Sequence, residues 1–220
     1  MKKLILFIFL PGACIMHAQV FQPGDFVLNA GNGAAVFHLH ASDTAGYDKD
    51  FNGVGGINLN FRGEFGVAPW LGFSMSVSHT SLITQTFFSD DICNLTEIAP
   101  GINYHVPWKN RWIDLQGEIG AGYLRYFFDS NGGLFVRTSM TCLTFFAGIH
   151  PRLYFTRKQR FGGYAYYRFS AFTGGGETTD KFTSTYKYDV DGSGHTFGLG
   201  LFYRFGKPRT NEPADPNETK

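Results

Sequence analysis

The residues of this sequence that could do chemistry are charged side chains at alternate positions within segments that otherwise alternate between apolar and polar residues. Such residues share one face of a β-strand, because successive side chains point to opposite sides. Four bases and four acids are predicted to lie on the polar faces of these segments: Arg62, Glu64, Glu97, Asp114, Glu118, Arg152, Arg168 and Arg204. Because buried charges need partners and the two signs balance, the pattern predicts a neutral ion network inside the fold. A gated ion path is the alternative interpretation.

Other candidate sites have weaker support in the sequence. The pair His38 and His40 is followed by aspartates, but not at a spacing typical of metal ligands, and no glycine-rich segment precedes a helix that would bind phosphate. We therefore expect no metal and no cofactor. Cys93 and Cys142 either form a disulfide or serve as small apolar residues.

The composition excludes several classes of protein. The 220 residues include 28 Gly, 24 Phe and 11 Tyr, with 17% charged residues and a net charge of +1. The charge balance excludes a nucleic-acid-binding surface, and the aromatic content excludes a disordered chain. A helical membrane protein is excluded because no apolar run reaches the length of a spanning helix. A glycine- and aromatic-rich all-β protein remains.

The first 18 residues have the layout of a bacterial secretory signal. Met1–Lys3 is basic, Leu4–Met16 is apolar, and a small residue, Ala18, precedes the expected cleavage site. We therefore predict that residues 1–18 are a signal peptide and that the mature chain is exported. Lipidation at Cys14 is the alternative, although the residues before it fit a lipidation signal poorly.

The mature sequence alternates with period two in eight segments. In the clearest one, residues 57–67, Ile57, Leu59 and Phe61 lie on one face, and Asn58 and Asn60 lie on the other. Each segment has roughly the ten residues that a tilted strand needs to cross a bilayer.

The connections between the eight segments differ in length in a regular way. Those after segments two, four and six are short, and the others are longer: Ala41–Asn52, Ile83–Leu95, Asp129–Thr141 and Thr173–Gly194. Short turns on one side and long loops on the other are typical of outer-membrane barrels. We predict an all-β, eight-stranded antiparallel up-and-down transmembrane β-barrel over residues 19–206. A soluble lipocalin-like barrel, with its apolar face turned inward, is the alternative.

Aromatic residues near the strand ends predict two rings at the membrane surfaces. The ring on the short-turn side comprises Phe65, Trp70, Tyr104, Trp108, Trp112, Phe155, Phe161 and Tyr203. The ring on the long-loop side comprises Phe37, Phe87, Phe88, Tyr126, Phe127, Phe145, Phe146 and Phe172.

The last segment carries a more specific motif. Gly200, Tyr203 and Phe205 supply a glycine, an aromatic residue and a final Phe, in a sequence similar to the terminal assembly signal of outer-membrane barrels, and Glu64-Phe65-Gly66 and Asn103-Tyr104-His105 each precede a turn with Pro. On these motifs the chain resembles small outer-membrane β-barrel proteins, porin-like barrels of the OmpA–OmpX type from Bacteroidetes-type bacteria. The resemblance implies a location in the outer membrane. It also implies contact with outer-membrane lipid and lipopolysaccharide, and insertion by the barrel-assembly machinery. Residues 207–220 extend past Phe205 and are predicted to be a disordered periplasmic tail.

The function expected from these features is structural or surface interaction without catalysis. In the longest predicted loop, Tyr186, Tyr188 and Asp191 are the expected contacts to an unidentified extracellular ligand, and no contact with nucleic acid is expected. A narrow channel is one alternative. A lipid A-modifying enzyme is another, because His79 and Ser81 share a strand face as a base and a nucleophile would. The nearby acid Glu97 falls on the opposite face, so no triad is predicted.

Overall fold

A computed structural model describes residues 21–43, 48–83, 92–107, 112–130, 136–156, 159–179 and 184–206. Eight antiparallel strands form a closed barrel in chain order. The strands are β1 (Phe26–Ser42), β2 (Asp48–Ala68), β3 (Leu71–Leu82), β4 (Ile92–His105), β5 (Ile113–Ser130), β6 (Val136–Tyr154), β7 (Phe161–Thr179) and β8 (Thr185–Phe205). The predicted fold class is therefore confirmed. The predicted signal peptide and the predicted tail lie outside the described residues.

The barrel closes where β1 pairs with β8. The register runs from Phe26 opposite Phe205 at one end to Ser42 opposite Asp189 at the other. Closure leaves the sheet without an edge, so that every strand has a hydrogen-bonding neighbour on both sides. No helix in the described part of the chain is long and apolar enough to span a membrane.

The strands are longer than predicted, and most of the predicted long loops are strand. Strand lengths range from 12 to 21 residues. β7 continues to Thr179 and β8 begins at Thr185, so the loop expected over Thr173–Gly194 is mostly a hairpin. Tyr186, Tyr188 and Asp191, expected in that loop, are instead residues of β8. The pairs β1–β2, β5–β6 and β7–β8, with strands of 17 to 21 residues, thus extend the barrel well beyond the ten-residue segments recognised in the sequence.

In the part of the barrel nearer the chain termini, apolar side chains point outward and polar ones point inward. Ile57, Leu59 and Phe61 are 59%, 48% and 61% exposed, whereas Asn58 and Arg62 between and beside them are buried. The same alternation appears on the other strands, and it forms a continuous belt of exposed apolar residues. The alternative prediction of a water-soluble barrel with its apolar face inside is therefore wrong for this part of the molecule. Contact with lipid explains the exposed apolar belt.

The two faces exchange character toward the far end of the barrel. Most outward residues there are polar, beginning with the row His79, Thr96, Arg125 and Thr141 on β3 to β6. The inward residues there form an apolar cluster: Ala35, Phe37, Ala41, Leu82, Cys93, Leu95, Leu124, Met140, Cys142, Phe172 and Val190. We call this part of the barrel, beyond that row of polar residues, the extension. It is organised like a water-soluble barrel, with an apolar core and a polar outside.

This exchange corrects one of the two predicted aromatic rings. Phe37, Phe146 and Phe172 were expected at the membrane surface, but they are 3–5% exposed and lie inside the barrel. Phe145 does point outward, and Phe87 and Phe88 lie outside the described residues. The ring on the short-turn side agrees with the structure at its exposed members Phe65, Trp70, Tyr104, Phe155, Phe161 and Tyr203. Trp108 lies outside the described residues, and Trp112 packs inside the barrel against the aromatic cluster of Tyr154 and Phe202.

Interior aromatic rings are accommodated by glycines on neighbouring strands. The ring of Tyr166 covers Gly198, where a Cβ atom would lie 2.7 Å from ring carbons. The ring of Phe172 covers Gly192 at the same distance. Such approaches leave no room for a side chain, so these glycines allow the aromatic residues to lie flat inside a narrow barrel.

Candidate functional site: the barrel interior

The interior nearest the chain termini is organised around the buried carboxylate of Glu64. Arg152 donates from Nη2 to Oε2 of Glu64 at 2.5 Å, and Nε2 of His105 lies 2.7 Å from Oε1. The other ring nitrogen of His105, Nδ1, lies 2.9 Å from Asp114. Because ionised carboxylates only accept hydrogen bonds, a ring held between two of them donates from both nitrogens. With both carboxylates ionised, this geometry makes His105 a buried imidazolium.

A second group of contacts surrounds Arg62, directly above Glu64 on β2. Nε of Arg62 lies 3.0 Å from Glu118, and its Nη2 donates to Asn103 and, at 3.1 Å, to Gln116. Glu118 also accepts from Ser74 at 2.5 Å and pairs with Nε2 of His150 at 2.9 Å. Strands β2, β3, β4, β5 and β6 are therefore joined through the interior by one set of polar side chains.

A third ion pair lies just below the apolar cluster. Nη2 of Arg168 donates to Glu97 at 2.8 Å, and Nη1 donates to Ser76 at 3.3 Å. The guanidinium of Arg168 also lies over the ring of Phe146, 3.5 Å from its centroid. A cation on an aromatic face is a favourable contact, so this pair marks the transition from the polar to the apolar part of the interior.

The end of the barrel near the chain termini is filled by residues that precede β1. Phe21 is 1% exposed, and its ring stacks on His105 with the centroids 3.8 Å apart. The residues from Gln22 to Asp25 form a turn that is hydrogen-bonded to Gly66 of β2. Asp25 also lies 3.6 Å from Arg204. Phe21 therefore closes this end of the interior below the ion network.

Among the described residues, the charges inside the barrel balance when a protonated His105 is included. The structure places all eight predicted residues in the interior, and it adds the acid Asp25. Five acids and four arginines leave one negative charge, and the imidazolium of His105 neutralises it. His105, His150, Asp25 and Phe21 were not recognised as partners from the sequence. The alternation does put His105 and His150 on the polar face, but only the barrel register shows what they contact.

Little free space remains among these side chains. A cavity of about 10 Å³ lies between Arg62, Glu118, His150 and Arg168, which is about the space that one water molecule needs. Above it the apolar cluster of the extension fills the barrel. Among the described residues the interior is therefore packed from Phe21 at one end to the apolar cluster at the other.

The two cysteines lie in the apolar cluster as free thiols. Sγ of Cys93 donates to the hydroxyl of Tyr126 at 3.3 Å. Cys93 is in register with Phe128 of β5, and Cys142 is in register with Leu124 of the same strand. This four-residue offset corresponds to roughly 13 Å along the barrel, beyond the reach of a disulfide. The disulfide alternative is thus wrong, and both cysteines act as small apolar residues.

The arrangement around His79 does not form a triad. His79 and Ser81 both point outward, and Nδ1 of His79 lies 3.0 Å from Oγ1 of Thr96. Glu97 points into the barrel, where it pairs with Arg168. The acid and the His–Ser pair are therefore on opposite sides of the barrel wall, as the alternation predicted.

At the far rim, His40 is surrounded by acids. Its Nδ1 lies 2.8 Å from Asp50 and 3.6 Å from Asp48. The hydrogen bond to Asp50, together with the negative charges of Asp48 and Asp191, raises the pKa of His40 above its usual 6.5. No group of three or more His, Cys, Asp and Glu side chains among the described residues is arranged to hold a metal ion.

The residues of the predicted assembly signal lie at the end of β8. Tyr203 and Phe205 point outward and are 40% and 48% exposed, and Phe26 of β1 packs against Phe205. Gly200 points inward, against the ring of Tyr164. The positions of Tyr203 and Phe205 fit a lipid-facing strand end, and the role of the three residues in assembly remains a prediction.

Comparison with known proteins identifies the class by structure alone. No protein-family model matches the sequence, and no curated protein matches it. The outer membrane protein OprG from Pseudomonas aeruginosa has a similar structure, with a TM-score of 0.57 at 12% identity, covering 86% of this chain and 100% of OprG. Neisserial surface protein A has a TM-score of 0.54 at 13% identity, covering 83% of this chain and 99% of that protein.

A third similar structure was determined in lipid. The outer membrane protein AlkL, solved by solid-state NMR in DMPC bilayers, has a TM-score of 0.54 at 14% identity, covering 87% of this chain and 95% of AlkL. The chain therefore has the fold of the small outer-membrane β-barrel proteins. The predicted class and the predicted location in the outer membrane agree with these neighbours, and with the exposed apolar belt.

Proposed function

We propose that the protein is a closed, non-catalytic barrel of the outer membrane that presents a folded polar surface outside the cell. The observation that carries this proposal is the exchange of faces along the strands. The apolar belt suits lipid, and the extension beyond it has the apolar core and polar exterior of a structure that stands in water.

The orientation follows from the chain ends. β1 begins and β8 ends at the short-turn side of the barrel, because Phe26 of β1 pairs with Phe205 of β8. In outer-membrane barrels the short turns face the periplasm and the longer hairpins face outward. The extension therefore stands on the cell surface, where it can contact an external ligand. Its contact surface is the polar outside of the strands rather than the long loops expected from the sequence.

The packed interior favours the interpretation as a closed barrel rather than as a channel. Conduction needs a continuous column of water, whereas Phe21, the ion network and the apolar cluster occupy the interior in turn. An eight-stranded barrel has an interior just wide enough for side chains to fill. We expect the full chain in a planar bilayer to show no steady conductance, whereas an open porin in the same membrane conducts. Steady channels from the purified chain would refute the closed barrel.

The orientation is tested by labelling intact cells with a membrane-impermeant maleimide. Thr185 and Thr156 are both exposed threonines, one at the far end of β8 and the other in the turn after β6. We expect Thr185→Cys to react in intact cells and Thr156→Cys to react only after permeabilisation. The native chain, whose Cys93 and Cys142 are buried, is the background control. Labelling of Thr156→Cys alone would invert the proposed orientation, and labelling of neither in intact cells would refute surface exposure.

A further inference from the structure

We propose that the outer wall of β3 to β6 binds the phosphate groups of an outer-leaflet glycolipid through Arg125 and His79. This inference rests on the proposed location in the outer membrane. The two residues belong to a single row of outward side chains, His79, Thr96, Arg125 and Thr141, in which each residue is in register with the next. The row is the first polar one above the belt, whose adjoining row is Val77, Ile98, Tyr123 and Leu143.

The position of this row is where lipid headgroups begin. Val77, Ile98 and Leu143 are 41–59% exposed and apolar, as lipid-facing residues are. The hydroxyl of Tyr123 donates to Oγ1 of Thr141 at 3.2 Å, so its ring spans the step between the two rows. Aromatic residues with one polar end mark the membrane–water interface in barrels. A group bound at Arg125 therefore lies at headgroup depth.

Arg125 is a cation without a protein partner. Its side chain is exposed, and among the described residues it takes part in no hydrogen bond, ion pair or ring contact. The acid that follows it on the outward face of β5, Asp129, is already paired with Arg137 at 3.1 Å. Glu97, near in sequence to Thr96, points into the barrel. The guanidinium therefore keeps its donors for an external anion, and its planar shape suits phosphate oxygens.

The neighbours of Arg125 supply further donors. Nδ1 of His79 lies 3.0 Å from the hydroxyl of Thr96. When this nitrogen accepts from Thr96, Nε2 of the same ring carries the proton and donates outward. Thr96 and Thr141 flank Arg125 on either side in the register. Neighbouring strands are about 4.8 Å apart, so the row spans a width comparable with a phosphorylated sugar headgroup.

Charge around the barrel distinguishes this wall from the opposite one. The outward residues at the rim of β8 and β2 include Asp48, Asp50, Asp189 and Asp191, with Glu177 on β7. A phosphate is repelled there and attracted at Arg125. The segregation of charge therefore favours one wall of the barrel for the anionic headgroup.

The experiment compares Arg125→Gln and His79→Gln with Lys187→Gln. Lys187 is exposed on β8, so its substitution removes the same charge as Arg125→Gln but from the acidic wall. The full chain is inserted into vesicles that contain lipid A with both phosphates, or the same lipid A without them. One readout is the temperature at which the gel band of the folded barrel shifts to the position of the unfolded chain. The other is the amount of lipid A retained per barrel.

We expect phosphorylated lipid A to raise the transition temperature of the native chain and of Lys187→Gln. Arg125→Gln should lower the apparent affinity for phosphorylated lipid A about fivefold, which is the usual effect of one basic residue near anionic lipid. His79→Gln should lower it less. Equal behaviour of all variants, or equal effects of lipid A with and without phosphate, would overturn the site. The same rise in temperature with inorganic phosphate alone would also overturn the assignment to lipid. A chain that does not insert would instead contradict the proposed function.

Discussion

Arg152 and Glu64 form an ion pair across the inside of the barrel, although they are 88 residues apart in sequence. Nη2 of Arg152 lies 2.5 Å from Oε2 of Glu64, and both side chains have 0% exposure. Because neither charge reaches water, each depends on the other. The pair joins β6 to β2 and, with His105 and Phe21, occupies the interior near the short-turn end.

Removing one partner of this pair should destabilise the barrel strongly. We expect Arg152→Met to lower the free energy of unfolding by about 3–5 kcal/mol, because it leaves the Glu64 carboxylate buried without its main partner. The double variant Arg152→Met with Glu64→Gln should recover part of the loss. Urea unfolding of the refolded barrel in vesicles measures both, and a double variant that is no better than Arg152→Met would contradict the coupling.

Glycines beneath interior aromatic rings should not tolerate even one methyl group. In Gly198→Ala the new Cβ would meet the ring of Tyr166 and the backbone of β1, so we expect a loss of about 1–3 kcal/mol from overpacking. Gly117, also within a strand, has no atom within 4 Å of such a Cβ. Gly117→Ala therefore serves as the control and should change stability by less than about 0.5 kcal/mol. Similar unfolding midpoints for the two variants would show that the ring does not lie on Gly198.

The apolar core of the extension should contribute to stability like that of a soluble protein. Leu95 is 2% exposed within this core. We expect Leu95→Ala to cost about 2–5 kcal/mol, as large-to-small changes in packed cores do. Thr173→Ala, at an exposed outward position of β7 in register with Leu143, should have little effect. If Leu95→Ala were as harmless as Thr173→Ala, the extension would have no packed core.

The contacts of His40 predict how the rim responds to pH. Because the folded-state pKa is raised above 6.5, the stabilisation from protonated His40 is fully present below about pH 6.5. It is lost as the pH rises through the folded-state pKa. NMR titration of the imidazole should show Asp50→Asn moving this pKa back toward 6.5. Asp129→Asn, whose carboxylate pairs with Arg137 instead, should leave the pKa of His40 unchanged, and an equal shift in both variants would exclude a local cause.

The membrane-spanning part of the fold could be predicted from the sequence because its alternation is simple. Residues such as Ile57 and Asn58 alternate in hydrophobicity, and a single face assignment describes the strand through the belt. The extension escaped prediction because its faces are exchanged. Tyr188 and Val190 turn inward on β8, while Asp189 and Asp191 turn outward. Read with the alternation of the belt, such residues look like an irregular polar loop.

The candidate site was predictable in composition but not in its contacts. The alternation places Arg62, Glu64 and Arg152 on interior faces, whereas their pairing depends on how far each strand is offset from its neighbours. The part played by Phe21 was not visible at all, because that residue precedes the first strand. Its stacking on His105 depends on the turn that follows it.

The most direct test of the exchange of faces is the accessibility of spin labels placed one at a time along β8. Collisions with oxygen report lipid, and collisions with a nickel chelate report water. We expect labels at 197, 199 and 201 to collide mainly with oxygen, and labels at 187, 189 and 191 to collide mainly with the nickel chelate. Labels at 188 and 190 should collide with neither reagent. Nickel access at 188 and 190 would mean a water-filled interior, and oxygen access at 187 to 191 would place the extension in lipid. Either result would contradict the closed barrel with a folded extension above the membrane.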